Sequence, residues 1–216
     1  MIRVHHLRYS RSTRLLWVLE ELGVPYELIE YDRNPRTMRA PAELLQAHPL
    51  GKAPVLEDGD IVIAESGAAM EYLIATHGGG RLGPAQGTPD WPAYIEWLHF
   101  AEGTAMLGLI MRLMDGYEPL PRPARYYADD SIDRALNHIE HALAGGGWLV
   151  GQEMTGADIQ IGYVVDFADS LGLLEDRPTL RAYRERLFAT ESLQRAIARG
   201  GPMQLPARSA QAQPGS

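Results

Sequence analysis

HPLGKAPVLEDGDIVIAESGAAMEYL, residues 48–73, decides how the rest of the chain is read. Apolar runs on either side of Asp58 and Gly59 predict two short strands joined by a tight hairpin, because an Asp-Gly pair readily takes the left-handed backbone such turns need. The first strand is entered through Ala53 and Pro54, the second covers Ile61–Ala64, and a helix opens at Glu65 and Ser66. Proline has no N–H to give a sheet, so Pro54 belongs at the strand's first position, and a cis bond before it is compatible with the turn. Ser66 fits the helix N-cap, its hydroxyl taking an unpaired N–H of the first turn, with Met70, Leu73 and Ile74 on one side of the helix. A helix start with its free N–H groups and partial positive charge is a natural carboxylate site.

Upstream, residues 2–7 form a short apolar-rich strand. Residues 9–28 follow, YSRSTRLLWVLEELGVPYEL, with Leu15, Leu16, Leu19 and Leu22 at helical spacing, Gly23 closing the helix and Pro25 preventing its continuation. A second strand over Tyr26–Tyr31 then lies parallel to the first, since a strand-helix-strand unit of this length is a crossover. Residues 33–47 are polar and contain a short helix around 41–47.

Downstream, the glycines and prolines of residues 78–89 mark a linker, after which strand signals cease. Residues 90–115 read as one long helix capped by Asp90, with Pro92 in its first turn and Trp91, Ile95, Leu98 and Ala105 on one face. A second helix over residues 122–143 ends at Gly145, Gly146 and Gly147. WLVG at 148–151 leads to Thr155 and Asp158, spaced as a capping box. Two more helices cover residues 178–188 and 191–199. The division is 1–77, linker 78–89, an all-helical part 90–203, and a tail 204–216 rich in Ala, Pro, Gln and Ser that is expected to be mobile.

Composition narrows the function. The 216 residues are 45% hydrophobic and 22% charged, ordinary for a globular protein. A net charge of −8 argues against a nucleic-acid groove, which needs a basic stripe. No apolar stretch reaches the roughly 20 residues that span a bilayer. The first residues do not read as a secretory signal, so a cytoplasmic location is expected. Cysteine is absent. The chain therefore cannot run disulfide exchange with a thiolate of its own, and thiol chemistry here requires a thiol carried by the ligand.

The order Gly51, Lys52, Ala53, Pro54, hairpin, Glu65, Ser66, followed by an all-helical half with WLVG and the capping box, resembles the glutathione transferase superfamily of the serine type. The likeness runs from Met1 to about Arg199. It implies an α/β thioredoxin-like N-terminal domain with a cis-proline, followed by an all-α helical bundle. It also implies glutathione as co-substrate. By resemblance, the Ala53 backbone pairs with the cysteinyl part, Glu65 and Ser66 hold the γ-glutamyl end, and Lys52 faces the glycine carboxylate. The family usually has Asn at the position of His48 and Val at that of Ala53; neither departure removes a backbone contact.

The catalytic candidate lies in YSRSTR, residues 9–14, where a hydroxyl before the first helix can donate to a thiolate. Ser10 matches the serine-type position best; Ser12, Tyr9 and a backbone N–H are the alternatives, and either serine could instead simply cap the helix. The expected activity is attack of the glutathione thiolate on hydrophobic electrophiles. The other readings are a non-catalytic relative that binds ligands or partners, or a glutathione-dependent peroxidase, isomerase or dehalogenase. Met106, Leu107, Leu109, Ile110, Met111, Leu113 and Met114 belong to core, subunit interface or second-substrate pocket, and the sequence does not sort them. His138 and His141 share a helix face, yet no further ligands complete a site, so no metal is expected. A homodimer is expected, with no nucleic-acid or membrane partner.

Overall fold

The computed structural model describes residues 1–35 and 37–204. Its sheet is built around β1 (Ile2–Leu7), whose burial on both faces follows from a run in which five of six residues are enclosed. β2 (Tyr26–Tyr31) lies parallel to β1, while β3 (Val55–Asp58) lies antiparallel on its other side and β4 (Ile61–Ala64) follows antiparallel at the edge, giving the order β2-β1-β3-β4. The hairpin turns through Gly59 and Asp60, one residue later than the Asp58, Gly59 centre read from sequence, and Gly59 supplies the left-handed φ of +61°. The Ala53–Pro54 bond is cis.

α1 (Thr13–Leu22) crosses between β1 and β2 and closes at Gly23 in the left-handed conformation. Every residue from Thr13 to Leu19 is buried, including Trp17, because the helix lies between the sheet and the second half of the chain. The short α2 (Leu44–Ala47) starts three residues later than expected. α3 (Ser66–His77) begins with Ser66 inside the helix; the cap is Glu65, at φ +78°, and no side chain caps the end. Ser66 is therefore not the N-cap, for its hydroxyl is taken by Arg14.

No regular element lies between His77 and Trp91. The long helix expected over residues 90–115 is broken in the middle: α4 (Trp91–Phe100) passes into a π-helical turn, Ala101–Ala105, before α5 (Met106–Asp115). The π turn is closed by the Met106 N–H on the Ala101 carbonyl, and Asp90 makes no side-chain cap. α6 (Arg122–Ala142), α7 (Gly156–Ser170), α8 (Pro178–Phe188) and α9 (Glu191–Gly200) complete the helical part. The architecture is thus a thioredoxin-like α/β domain followed by an all-α bundle, as expected. The capping box forms: the Thr155 hydroxyl accepts from the Ala157 N–H and the Asp158 carboxylate accepts from the Thr155 N–H. Of the expected tail at 204–216, all but Gln204 lies outside the described residues.

The two halves share one apolar core, in which Ile2, Leu16, Trp17 and Met70 adjoin Tyr94, Ile159, Tyr183 and Leu187. Glycine permits the closest approaches across this seam. A Cβ on Gly162 of α7 would lie 3.2 Å from Trp17 of α1, and one on Gly200 of α9 would lie 2.5 Å from Leu16. No helix among the described residues is long and apolar enough to cross a membrane.

Candidate functional site

Strand register assembles the site. β3 runs antiparallel to β1 with Val55 opposite His5, and Val55 also faces Ala64 of β4. The segments just beyond these residues, 8–12 after β1, 52–54 before β3 and 65–66 after β4, therefore converge on one end of the sheet. A hairpin and two strand ends thus bring Ser10, Lys52, Ala53, Glu65 and Ser66 to the same edge, although up to 56 positions separate them in the chain.

The loop after β1 is held from below. Tyr9 takes a left-handed φ of +57°, and Arg33 braces it by donating to the carbonyls of Arg8 (3.2 Å), Tyr9 (2.6 Å) and Met38 (2.8 Å). No carboxylate pairs with Arg33 among the described residues. The two serines then separate by environment. Ser12 is fully buried; its Oγ lies 2.8 Å from His6 Nδ1 and accepts from the Leu7 N–H at 3.2 Å. Ser10 retains 7% exposure and lines a cleft, its Oγ accepting from the Ser12 N–H at 3.2 Å and lying 2.7 Å from Ser12 Oγ. Neither side chain caps α1.

The cleft has a volume of about 1020 Å³ and runs between this loop and the helical half. Met106, Ile110 and Leu113 of α5 face Tyr163, Phe167 and Leu171 across it. Of the α5 residues that sequence left unsorted, Leu109 is core, Leu107 is exposed, Met111 is half-buried outside the cleft lining, and Met106, also core, joins Ile110, Leu113 and Met114 in walling the cleft. Lys52, Ala53, Glu65 and Ser66 are not part of its lining and form a ledge beside it. Lys52 and Glu65 are exposed, and neither makes an ion pair among the described residues.

Under the ledge lies a charge cluster that the sequence did not disclose. Arg14, fully buried on α1, donates to Ser66 Oγ (3.0 Å), Glu102 Oε1 (2.6 Å) and the Gln160 carbonyl (3.1 Å), and its guanidinium stacks 4.5 Å above the Tyr163 ring. Arg11 Nε reaches both oxygens of Glu102 at 2.7 and 2.8 Å. Burial alone would push the Glu102 carboxyl up, but Arg14 and Arg11 together outweigh it and hold the group below the usual carboxylate range. Burial, opposed by Glu102, pulls the Arg14 guanidinium down. The one legible signal was Arg14 itself, a cation next to the apolar stripe of α1 that had to find a carboxylate. Its partner 88 positions away sits in the π turn, which no compositional signal marks.

His138 is exposed and stacks on Trp97 with ring centroids 4.7 Å apart. Among the described residues no group of three or more His, Asp or Glu side chains is placed to hold a metal ion.

Two family models match the chain: the glutathione S-transferase N-terminal domain over residues 1–75 and the C-terminal domain over residues 105–191. Glutathione S-transferase 3 of Schizosaccharomyces pombe is 31% identical over 193 residues, covering 82% of this chain and 78% of that protein. Glutathione S-transferase GstB of Escherichia coli K12 is 27% identical, covering 85% and 91%. A crystal structure of a glutathione S-transferase from Actinobacillus pleuropneumoniae superposes with a TM-score of 0.87 at 32% identity, covering 98% of both chains. A sheet edge that gathers Ser10, a cis-proline and the Glu65, Ser66 pair beside an apolar cleft, together with similarity along almost the whole chain, means that this protein belongs to the glutathione transferase superfamily.

Proposed function

We propose that the protein is a glutathione S-transferase that holds glutathione on the ledge, ionises its thiol at Ser10 and directs the thiolate at hydrophobic electrophiles in the adjoining cleft. The observation that carries this reading is the position of Ser10: like Tyr9 beside it, Ser10 lines the apolar cleft before the helix start, and of the two serines it is the one that reaches the cleft. Ser12 is sealed beneath it. On this reading Glu65 takes the ligand's ammonium, Ser66 and the first N–H groups of α3 take the γ-glutamyl carboxylate, the Ala53 backbone pairs with the cysteinyl unit, and Lys52 faces the glycine carboxylate. Arg14 fixes the Ser66 hydroxyl from behind.

The chemistry asks little of the protein beyond ionisation and placement. A thiol of pKa about 8.5 is only a few per cent ionised at neutral pH, and lowering it by 2 units takes roughly 2.7 kcal/mol. One charge-assisted hydrogen bond supplies about 1.5 to 3 kcal/mol, and the partial charge of a helix start adds about 0.3 to 1. The test is glutathione calorimetry beside conjugation of a chlorodinitrobenzene in wild type and Ser10→Ala. The variant is expected to bind glutathione within a few fold while the pKa of its bound thiol rises by about 1 to 2 units. Binding without turnover in the wild type would identify a non-catalytic relative instead.

A further inference from the structure

His6 is a buried titratable group beneath the site. Its Nε2 lies 2.7 Å from the Gly200 carbonyl at the end of α9, close enough that a Cβ on Gly200 would meet it at 2.9 Å. A carbonyl oxygen only accepts, so Nε2 carries the hydrogen, and a neutral imidazole has no second one. Nδ1 is therefore a bare lone pair, facing Ser12 Oγ at 2.8 Å. A serine hydroxyl has a single proton. The Ser12 proton has two acceptors within reach, His6 Nδ1 at 2.8 Å and the Leu7 carbonyl at 3.2 Å. Placed on Nδ1, the shorter contact and the one otherwise left without a donor, it leaves the 2.7 Å contact between the two serine oxygens to the proton of Ser10. In this state Ser10 offers the cleft a lone pair: it can accept a hydrogen bond from a thiol but cannot give one to a thiolate.

We propose that His6 is the terminal proton acceptor of a two-serine relay that ionises the thiol bound at Ser10, an inference that rests on the transferase reading above. The thiol S–H bond breaks and leaves its electron pair on sulfur. Its proton passes to Ser10 Oγ, the Ser10 proton to Ser12 Oγ, and the Ser12 proton to His6 Nδ1, where an N–H bond forms. Each serine still holds one proton, but the chain has turned round. Ser10 now donates to the thiolate, Ser12 to Ser10, and His6 to Ser12, while Nε2–H keeps the Gly200 carbonyl. When the sulfur has joined carbon and the halide has left, the proton returns along the same chain to water entering the vacated cleft.

The surroundings of His6 fit a group that is neutral at rest. Burial pulls its pKa below the ordinary histidine value and Arg8 pushes the same way, while the Gly200 carbonyl of α9 and Glu30 of β2 oppose them. α1 contributes the Ser12 hydroxyl. The thiolate brings the negative charge that the imidazolium needs. His6 touches no ligand, so it is a positioning residue acting through Ser12 and Ser10.

The experiment is carried out on the wild-type protein with isotope-labelled histidine, comparing glutathione with S-methylglutathione, which has no thiol proton to give. Thiolate formation is followed in parallel by ultraviolet absorbance. His6 is expected to become imidazolium with glutathione and to remain neutral with S-methylglutathione. His6→Asn assigns the signal; it keeps an acceptor towards Ser12 but cannot take a proton. In that variant the bound thiol's pKa should rise by about 1 to 2 units, with a loss of about 10-fold or more in kcat at neutral pH and glutathione affinity within a few fold. Thiolate formation beside a neutral His6 overturns the relay and leaves the transferase reading standing. Bound glutathione that forms no thiolate overturns both.

Discussion

Glu65 is the residue whose backbone and side chain pull in different directions. It holds φ at +78°, a conformation that costs a non-glycine residue on the order of 1 to 3 kcal/mol, yet its carboxylate is exposed and makes no ion pair among the described residues. A carboxylate at a helix start is worth only about 0.3 to 1 kcal/mol to the fold, whereas one pairing with a ligand ammonium contributes about 1.5 to 3. Glu65→Ala is therefore expected to weaken glutathione binding by roughly 10- to 150-fold while changing folding stability by under about 1 kcal/mol. Calorimetry and urea denaturation run side by side check this; equal losses would make Glu65 structural. His6 gives a second residue-level expectation, for the ligand-free protein. Because burial lowers its folded pKa, the unfolded chain binds the proton first as pH falls through about 6.5, so native stability should drop below that pH until the folded pKa is reached. Urea titrations at several pH values should show a slope that His6→Asn flattens; an unchanged slope would mean that His6 binds its proton equally well in the folded and unfolded chain. At this scale the sequence singled out Glu65 and Ser66 but misread Ser66 as the helix cap. A cap is a local property, whereas the partner that claims the Ser66 hydroxyl, Arg14, comes from 52 positions away. His6 looked like any residue of an apolar-rich strand, since nothing local shows that Ser12 and Gly200 meet it.

Elements defined by short-range chemistry were legible. The hairpin was found from one Asp-Gly pair, and the start of α7 from Thr155 and Asp158, because both devices are closed within four residues. Asp158 has a further role that spacing does not show. Fully buried, it accepts from the N–H groups of Leu149 and Thr155 and from the hydroxyls of Thr155 and Tyr183, tying α7 to the preceding loop and to α8. Asp158→Ala should remove a cap worth about 1 kcal/mol and leave buried donors unpaired at about 1 to 3 kcal/mol each. A total of about 3 kcal/mol or more lowers Tm by roughly 6 to 12 °C in a chain of this size. A thermal scan checks the loss, and a shift no larger than that of an exposed substitution would refute it. The break in the long helix was not legible, because a π turn is set by what its side chains reach rather than by what they are.

Over the whole molecule, exposed apolar side chains raise the question of a partner. Leu50, Ile61 and Val62 are each about half exposed on the first half of the chain, as are Leu107, Met114 and Tyr127 on the second. Ile61 and Val62 also lie on the edge strand β4, where uncovered pairing groups invite association. We expect a homodimer at micromolar concentration, with sedimentation at twice the 23.9 kDa chain mass. A single 23.9 kDa species would rule it out. The division expected near residues 78–89 rests on composition, which says nothing of the seam where Arg14 and Glu102 bond. The π turn at that seam can be seen as an insertion frozen into the helix. Its i to i+5 closure accommodates one more residue than an α-helical turn, so all of α5 is turned by about 100° from the course that α4 had set. A single added position thus aims Glu102 at the arginines of α1 while swinging Met106, Ile110 and Leu113 round to the cleft. Charge clamp and cleft wall in this sense share one change of phase, and lengthening or shortening that helix should move both.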